Sequence, residues 1–194
     1  MLDLNQYDGI IFDMDGTLID SMGAHIIAWE KACKAFGYPF DMEYMNSLGG
    51  VPVVKTVEML NSKHGLSHPP LEVAKAKRKI FEEMAFIPPL IEETYQVFKH
   101  YLPFKKVGIG TGAEHKHAKP VLTYHGLYDK VHALVTSTEV AKGKPHPETF
   151  LKVAELLNVD PTKCVVFEDT QIGVQAAIEA GMDYKLVNNG IIQR

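Results

Sequence analysis

The chain has few cysteines, one tryptophan, no excess of positive charge and no long apolar run, and each shortage excludes something. Its 2 cysteines, Cys33 and Cys164, stand far apart without CxxC spacing. A disulfide framework and a thiolate zinc site are therefore excluded, and reduced packing thiols of a cytoplasmic protein are expected. No stretch approaches the roughly 18 apolar residues of a membrane span. The N-terminus, which carries Asp3 and Asp8, lacks the basic-then-apolar order of a signal peptide. With 20 Lys and Arg against 24 Asp and Glu, the formal net charge is -4. No broad basic field is available, so nucleic acid and anionic membrane are not the expected partners. Low-complexity tracts and internal repeats are missing as well.

What is present is enough apolar material for a full core: 46% of 194 residues. Apolar residues at helical spacing run from Ala24 to Phe36 and stop at Gly37 and Pro39. A short helix that Asp41 can cap reaches Leu48, another runs from Val53 to His64, and Pro69-Pro70 open a fourth that extends to about Phe86. Beyond Pro88-Pro89 helices alternate with short apolar runs: Lys106–Gly110, His132–Val135, Cys164–Phe167 and Tyr184–Val187. With the first run, Ile10-Ile11-Phe12, these predict an α/β fold with a Rossmann-like parallel sheet of about five strands. The expected domains are an α/β core, residues 1–17 plus 88–194, and an α-helical insertion, residues 18–87.

The first strand ends in Asp13-Met14-Asp15-Gly16-Thr17. Two carboxylates this close repel, and a buried carboxylate costs several kcal/mol unless it is paired or bound to a metal, roughly. Open parallel sheets bind ligands outside the carboxyl ends of their strands. Asp13 and Asp15 follow the first strand, Thr111 and Gly112 the second, and Glu168 and Asp169 the fourth, while Lys144 lies in the loop after the third. Asp13 and Asp169, with a backbone carbonyl, offer the hard oxygens that Mg²⁺ prefers. Asp13, Asp15 and Asp169 form the expected metal set, with Glu168 acting through a bound water. The Thr111 hydroxyl, the Gly112 N–H and the Lys144 ammonium suit a phosphate dianion. Asp13 is the candidate nucleophile toward phosphorus, and Asp15 the candidate acid and base.

Phe12-Asp13-Met14-Asp15-Gly16-Thr17, Thr111, Gly143-Lys144-Pro145-His146-Pro147 and Phe167-Glu168-Asp169 resemble the four signature motifs of the haloacid dehalogenase superfamily. The likeness covers the whole chain, its helical insertion being similar to that superfamily's small α-helical cap. Within the superfamily the chain is most similar to the β-phosphoglucomutase-like and fructose-1-phosphatase-like group. The resemblance implies a Mg²⁺-dependent phosphotransferase in which Asp13 is phosphorylated, Asp15 is acid and base, Thr111 and Lys144 hold the phosphate, and Asp169 binds metal. It also implies a substrate contact from Lys79, similar to a cap lysine of the mutases, while His25 is a candidate substrate contact by its place soon after the nucleophile stretch, at the cap entrance.

The chain departs from the mutase pattern after the second motif, where Ala113 and Glu114 replace the usual hydroxyl and lysine side chains. A second phosphate loses its partners there, which favours a monophosphate. The expectation is a cytoplasmic, monomeric phosphatase of small sugar phosphates such as hexose phosphates. A sugar phosphomutase and a noncatalytic sugar-phosphate-binding protein are the alternatives. His115 and His117 do not make a zinc pair, because alternate residues on a helix diverge. Gly108-Ile109-Gly110-Thr111-Gly112 lacks the glycine spacing of a dinucleotide loop.

Overall fold

The computed structural model describes residues 2–84 and 86–193. Among these, residues up to Asp20 and from Pro89 onward form one compact unit, and Ser21–Pro88 forms a second.

The first unit is built on a six-stranded sheet. Its strands are β1 (Gly9–Phe12), β2 (Lys106–Gly110), β3 (Ala133–Val135), β4 (Cys164–Glu168), β5 (Asp183–Asn188) and β6 (Ile191–Ile192). Their order is β3-β2-β1-β4-β5-β6. Strand β1 is central and fully buried, pairing Phe12 with Ile109 of β2 and with Phe167 of β4, both in parallel. A strand covered on both faces needs apolar residues at every position, which is why Ile10-Ile11-Phe12 shows no alternation.

The pleat sends these residues to two cores. Ile10 and Phe12 join Val107, Ile109, Val165 and Phe167 on one face, together with Val97 and Phe98 from a helix at Glu92–Tyr101 and Leu122 from a helix at His115–Tyr124. Ile11, Val135 and Val166 join the opposite core with Phe150, Val153, Ala176 and Ala177. Those partners come from helices at Glu148–Leu157 and Gln171–Glu179. Phe12 and Phe167 stack with centroids 4.8 Å apart, a contact worth about 0.5–1.5 kcal/mol beyond its buried area. This packing fixes the two strand ends that carry the acids.

The sheet is mixed, with one strand more than the five expected from sequence. Strand β6 is antiparallel to β5, pairing Val187 with Ile192 and Asn188 with Ile191. Asn189 and Gly190 connect them with φ of 48° and 77°. Two successive residues at positive φ, filled by Asn-Gly, are the pattern of a tight hairpin turn.

The second unit is helical: α1 (Met22–Phe36), α2 (Met42–Ser47), α3 (Val53–His64) and α4 (Pro70–Glu83). Trp29, Ala32, Cys33, Val57, Leu60 and Val73 form its core with Tyr38, Met45 and Leu48. The Asp41 side chain caps α2 by accepting from the Tyr44 N–H at 3.0 Å. Numbering the helices of the first unit in turn gives α5 (Glu92–Tyr101), α6 (His115–Tyr124), α7 (Glu148–Leu157) and α8 (Gln171–Glu179). Among the described residues, no helix is long and apolar enough to cross a membrane.

Candidate active site

The carboxyl ends of β1, β2 and β4 lie side by side, and the hydrogen-bond ladder runs one residue past two of them. The Asp13 N–H donates to the Phe167 carbonyl at 2.9 Å, and the Thr111 N–H to the Val135 carbonyl at 2.9 Å. After Asp13 the chain reverses in a tight turn. The Met14 carbonyl accepts from Leu18 N–H and Ile19 N–H, and the Gly16 N–H returns to the Ile19 carbonyl. Gly16 has a φ of 80°, a left-handed conformation that L side chains resist. The turn leaves Asp15 half-buried two residues from Asp13 and buries Thr17 completely.

Three carboxylates converge at this edge. Ligand oxygens of Asp13, Glu168 and Asp169 lie within 4.8 Å of one another. Lys144 enters among them: its Nζ is 2.6 Å from Asp13 Oδ1 and 2.6 Å from Glu168 Oε1. Thr17 Oγ1 donates to Asp169 Oδ1 at 3.3 Å, so the hydroxyl at the end of the first motif steadies an acid of the fourth. Thr111 Oγ1 accepts from the Ala113 N–H at 3.0 Å, which leaves its own proton available for another acceptor. Gly112, next to it, is exposed.

The loop that delivers Lys144 is held at both ends. Glu148, at the start of α7, accepts from the N–H groups of Ala141 and Lys142 at 2.8 and 3.0 Å. Glu139 accepts from the N–H and hydroxyl of Thr136, while Lys152 Nζ donates to the Glu139 carbonyl at 2.6 Å. His146 belongs to this scaffold, its Nδ1 accepting from the Glu148 N–H at 3.3 Å.

Burial dominates the electrostatics. It pushes the Asp13 carboxyl well above the ordinary range, an effect that Lys144 opposes and that Glu168 and Asp169 reinforce. Asp169 is pushed up to about 7, first by burial and then by the charge of Glu168. Burial disfavours the charge on Lys144, but the Asp13 and Glu168 carboxylates outweigh it and hold the ammonium above its usual range. With its three acids ionised, the cluster carries more negative charge than the single Lys144 ammonium balances. Hard oxygen donors with this surplus charge fit Mg²⁺.

Of the expected metal set, the carboxylates of Asp13 and Asp169 converge with that of Glu168, expected to act through a bound water, and the Asp15 carboxylate is not among the three. Two sequence candidates, His25 and Lys79, belong to the helical unit. Lys79 is exposed and its ammonium lies 3.6 Å from Glu83. The buried member of that basic run is Lys77, 3% exposed, with Nζ 2.8 Å from His25 Nδ1. His25 in turn stacks on Phe81 with centroids 4.3 Å apart. Helical spacing carries the signal for Lys77: it follows Val73 by four residues and Ala74 by three, and so shares their buried face.

Comparison with known proteins adds to this geometry. Residues 7–181 match the haloacid dehalogenase-like hydrolase family. The fructose-1-phosphate phosphatase YqaB of Escherichia coli is 34% identical over 180 residues, covering 92% of this chain and 95% of the relative. A phosphorylated carbohydrates phosphatase of Thermotoga maritima is 31% identical over 180 residues, covering 91% of this chain and 82% of the relative. Among solved structures, a β-phosphoglucomutase from Clostridium difficile superposes with a TM-score of 0.75 at 25% identity. That superposition spans 92% of this chain and 83% of the other.

Proposed function

The chain belongs to the haloacid dehalogenase-like hydrolase family and is a phosphatase, and from that premise we propose that its substrates are small sugar monophosphates. Hexose phosphates such as fructose 1-phosphate are the favoured members, Mg²⁺ is the metal, and Asp13 carries the phosphoryl group between two half-reactions. The observation that carries this reading is Lys144, whose ammonium lies 2.6 Å from both Asp13 and Glu168 in a trio of converging carboxylates.

Asp13 and Asp169, together with Glu168, would hold the cation. When bound, Mg²⁺ neutralises negative charge on the carboxylates and on the substrate phosphate. The Lys144 ammonium, the Thr111 hydroxyl and the Gly112 N–H orient the phosphate. An Asp13 carboxylate oxygen attacks phosphorus as the bond between phosphorus and the sugar oxygen breaks, and Asp15 gives that oxygen its proton. Asp15, now a carboxylate, takes a proton from water as the water oxygen attacks phosphorus. The bond from phosphorus to Asp13 breaks, releasing inorganic phosphate and restoring both acids.

Ala113 and Glu114 support a monophosphate, since neither side chain can donate to a second phosphate at the start of α6. The test compares products. Purified protein with Mg²⁺ should release inorganic phosphate from fructose 1-phosphate and stop doing so in EDTA. Conversion of β-glucose 1-phosphate, with a trace of its bisphosphate, to glucose 6-phosphate without free phosphate would replace the hydrolase reading with a mutase.

A further inference from the structure

We infer that Thr170 is a positioning residue for the phosphatase reaction, locking the Glu168 carboxylate in the orientation that holds Lys144 against Asp13. The inference rests on the site assignment proposed above and extends it to the first turn of α8.

Glu168 is 1% exposed, and each of its carboxylate oxygens has its own task. Oε1 accepts from Lys144 Nζ at 2.6 Å. Oε2 accepts twice from Thr170, from the N–H at 2.7 Å and from the hydroxyl at 2.9 Å. The same Thr170 oxygen accepts from the Gly173 N–H at 3.0 Å. A hydroxyl has one proton to give, so Thr170 points it at Glu168 and turns a lone pair to the helix. The result is one continuous chain of hydrogen bonds from Gly173 N–H through Thr170, Glu168 and Lys144 to Asp13.

Gly173 supplies the room that this arrangement needs. A Cβ there would lie 1.9 Å from the Glu168 carboxyl carbon and 1.9 Å from Oε1. Glycine is a poor helix residue. Its presence in the first turn of α8 is explained by the carboxylate that occupies the space of a side chain. Thr170 thus clamps one oxygen of Glu168 and Gly173 leaves space for the group, which fixes the direction in which the other oxygen meets Lys144.

Thr170 also caps α8, so the test must separate the clamp from helix stability. Thr170→Ser keeps the two hydrogen bonds of the hydroxyl, Thr170→Ala removes those two and leaves the backbone N–H bond to Glu168, and Gly173→Ala keeps the cap while displacing Glu168. For each, kcat and KM on fructose 1-phosphate are measured, along with the Mg²⁺-induced rise in Tm. Loss of a group that orients a metal-site ligand lowers activity or metal affinity about 10- to 100-fold. Thr170→Ala and Gly173→Ala should therefore lose kcat on that scale with little change in KM, and their Mg²⁺ response should shrink. Thr170→Ser should stay within about twofold of wild type on both readouts.

The inference is overturned if Thr170→Ala lowers Tm while its folded fraction keeps wild-type kcat and Mg²⁺ response. Should Thr170→Ala fail to fold, wild-type kcat and Mg²⁺ response in Gly173→Ala would overturn it equally. If the wild-type protein releases no phosphate from fructose 1-phosphate, the substrate reading fails. The Mg²⁺ response of Tm across the three variants then still decides for or against the clamp.

Discussion

Lys144 Nζ and Asp13 Oδ1 are 2.6 Å apart, and each side chain is 8% exposed. A pair sealed this well makes each charge depend on the other. Removing one partner of a buried ion pair leaves the other uncompensated, at a cost of about 3–5 kcal/mol. Glu168, 1% exposed, accepts from the same ammonium at 2.6 Å, so loss of Lys144 strips a partner from two buried carboxylates.

Lys144→Met should destabilise the cation-free protein by about 3–5 kcal/mol, read from urea unfolding in EDTA. Mg²⁺ should recover part of this loss, because a bound cation compensates the same carboxylates. Unfolding midpoints equal to wild type in EDTA would contradict the pairing.

Metal binding should depend on pH with a definite sign. Asp169, whose ordinary value is 3.8, is pushed up to about 7 by burial and by Glu168. A carboxyl that holds its proton more tightly when folded favours folding at low pH. The cation-free protein therefore loses this contribution as the pH rises from 3.8 through about 7. Mg²⁺ needs the charged carboxylate, so its binding displaces a proton below about 7 and none well above it. The Mg²⁺-induced rise in Tm should accordingly be larger near about pH 8 than near about pH 5.5. An equal rise at both would refute the linkage.

Asp13→Asn should abolish turnover of fructose 1-phosphate, since an amide is no nucleophile toward phosphorus. Asp15→Asn removes the proton donor and base, which should lower kcat about 100- to 10,000-fold and leave folding intact. Steady-state phosphate release and circular dichroism check both. Wild-type kcat in either variant would contradict its assigned role.

Cys33 and Cys164 are buried, with burial pushing their thiols up to about 11 and about 12 respectively. The thiolate is the reactive form. Neither should react appreciably with a thiol-disulfide reagent at neutral pH until the protein unfolds, when both should titrate. Rapid labelling of the native protein would show that one is not the packing residue described.

Strands β1 and β4 were legible because they are buried on both faces, so the runs Ile10-Ile11-Phe12 and Cys164-Val165-Val166-Phe167 stand out. Asp13, Asp15, Glu168 and Asp169 were legible for the opposite reason, as charges at the ends of those runs. Strand β6 has two residues, too few for any period, and its trace in the sequence is the Asn189-Gly190 turn. Lys77 was masked by Lys75, Arg78 and Lys79, and its place emerges only when the register of α4 is set by Val73 and Ala74. The grip of Thr170 on Glu168 was invisible in the sequence. A Thr two residues after a Glu reads as an ordinary helix cap until the carboxylate is seen folded over Gly173.

The phosphorylated state of Asp13 tests the account most directly. Asp15→Asn protein is mixed with Mg²⁺ and acetyl phosphate, quenched in acid and measured as intact protein and as peptides. The account predicts one added phosphoryl group, located at Asp13 and absent from a protein that also carries Asp13→Asn. Labelling at another residue, or equal labelling with Asp13→Asn present, would contradict it.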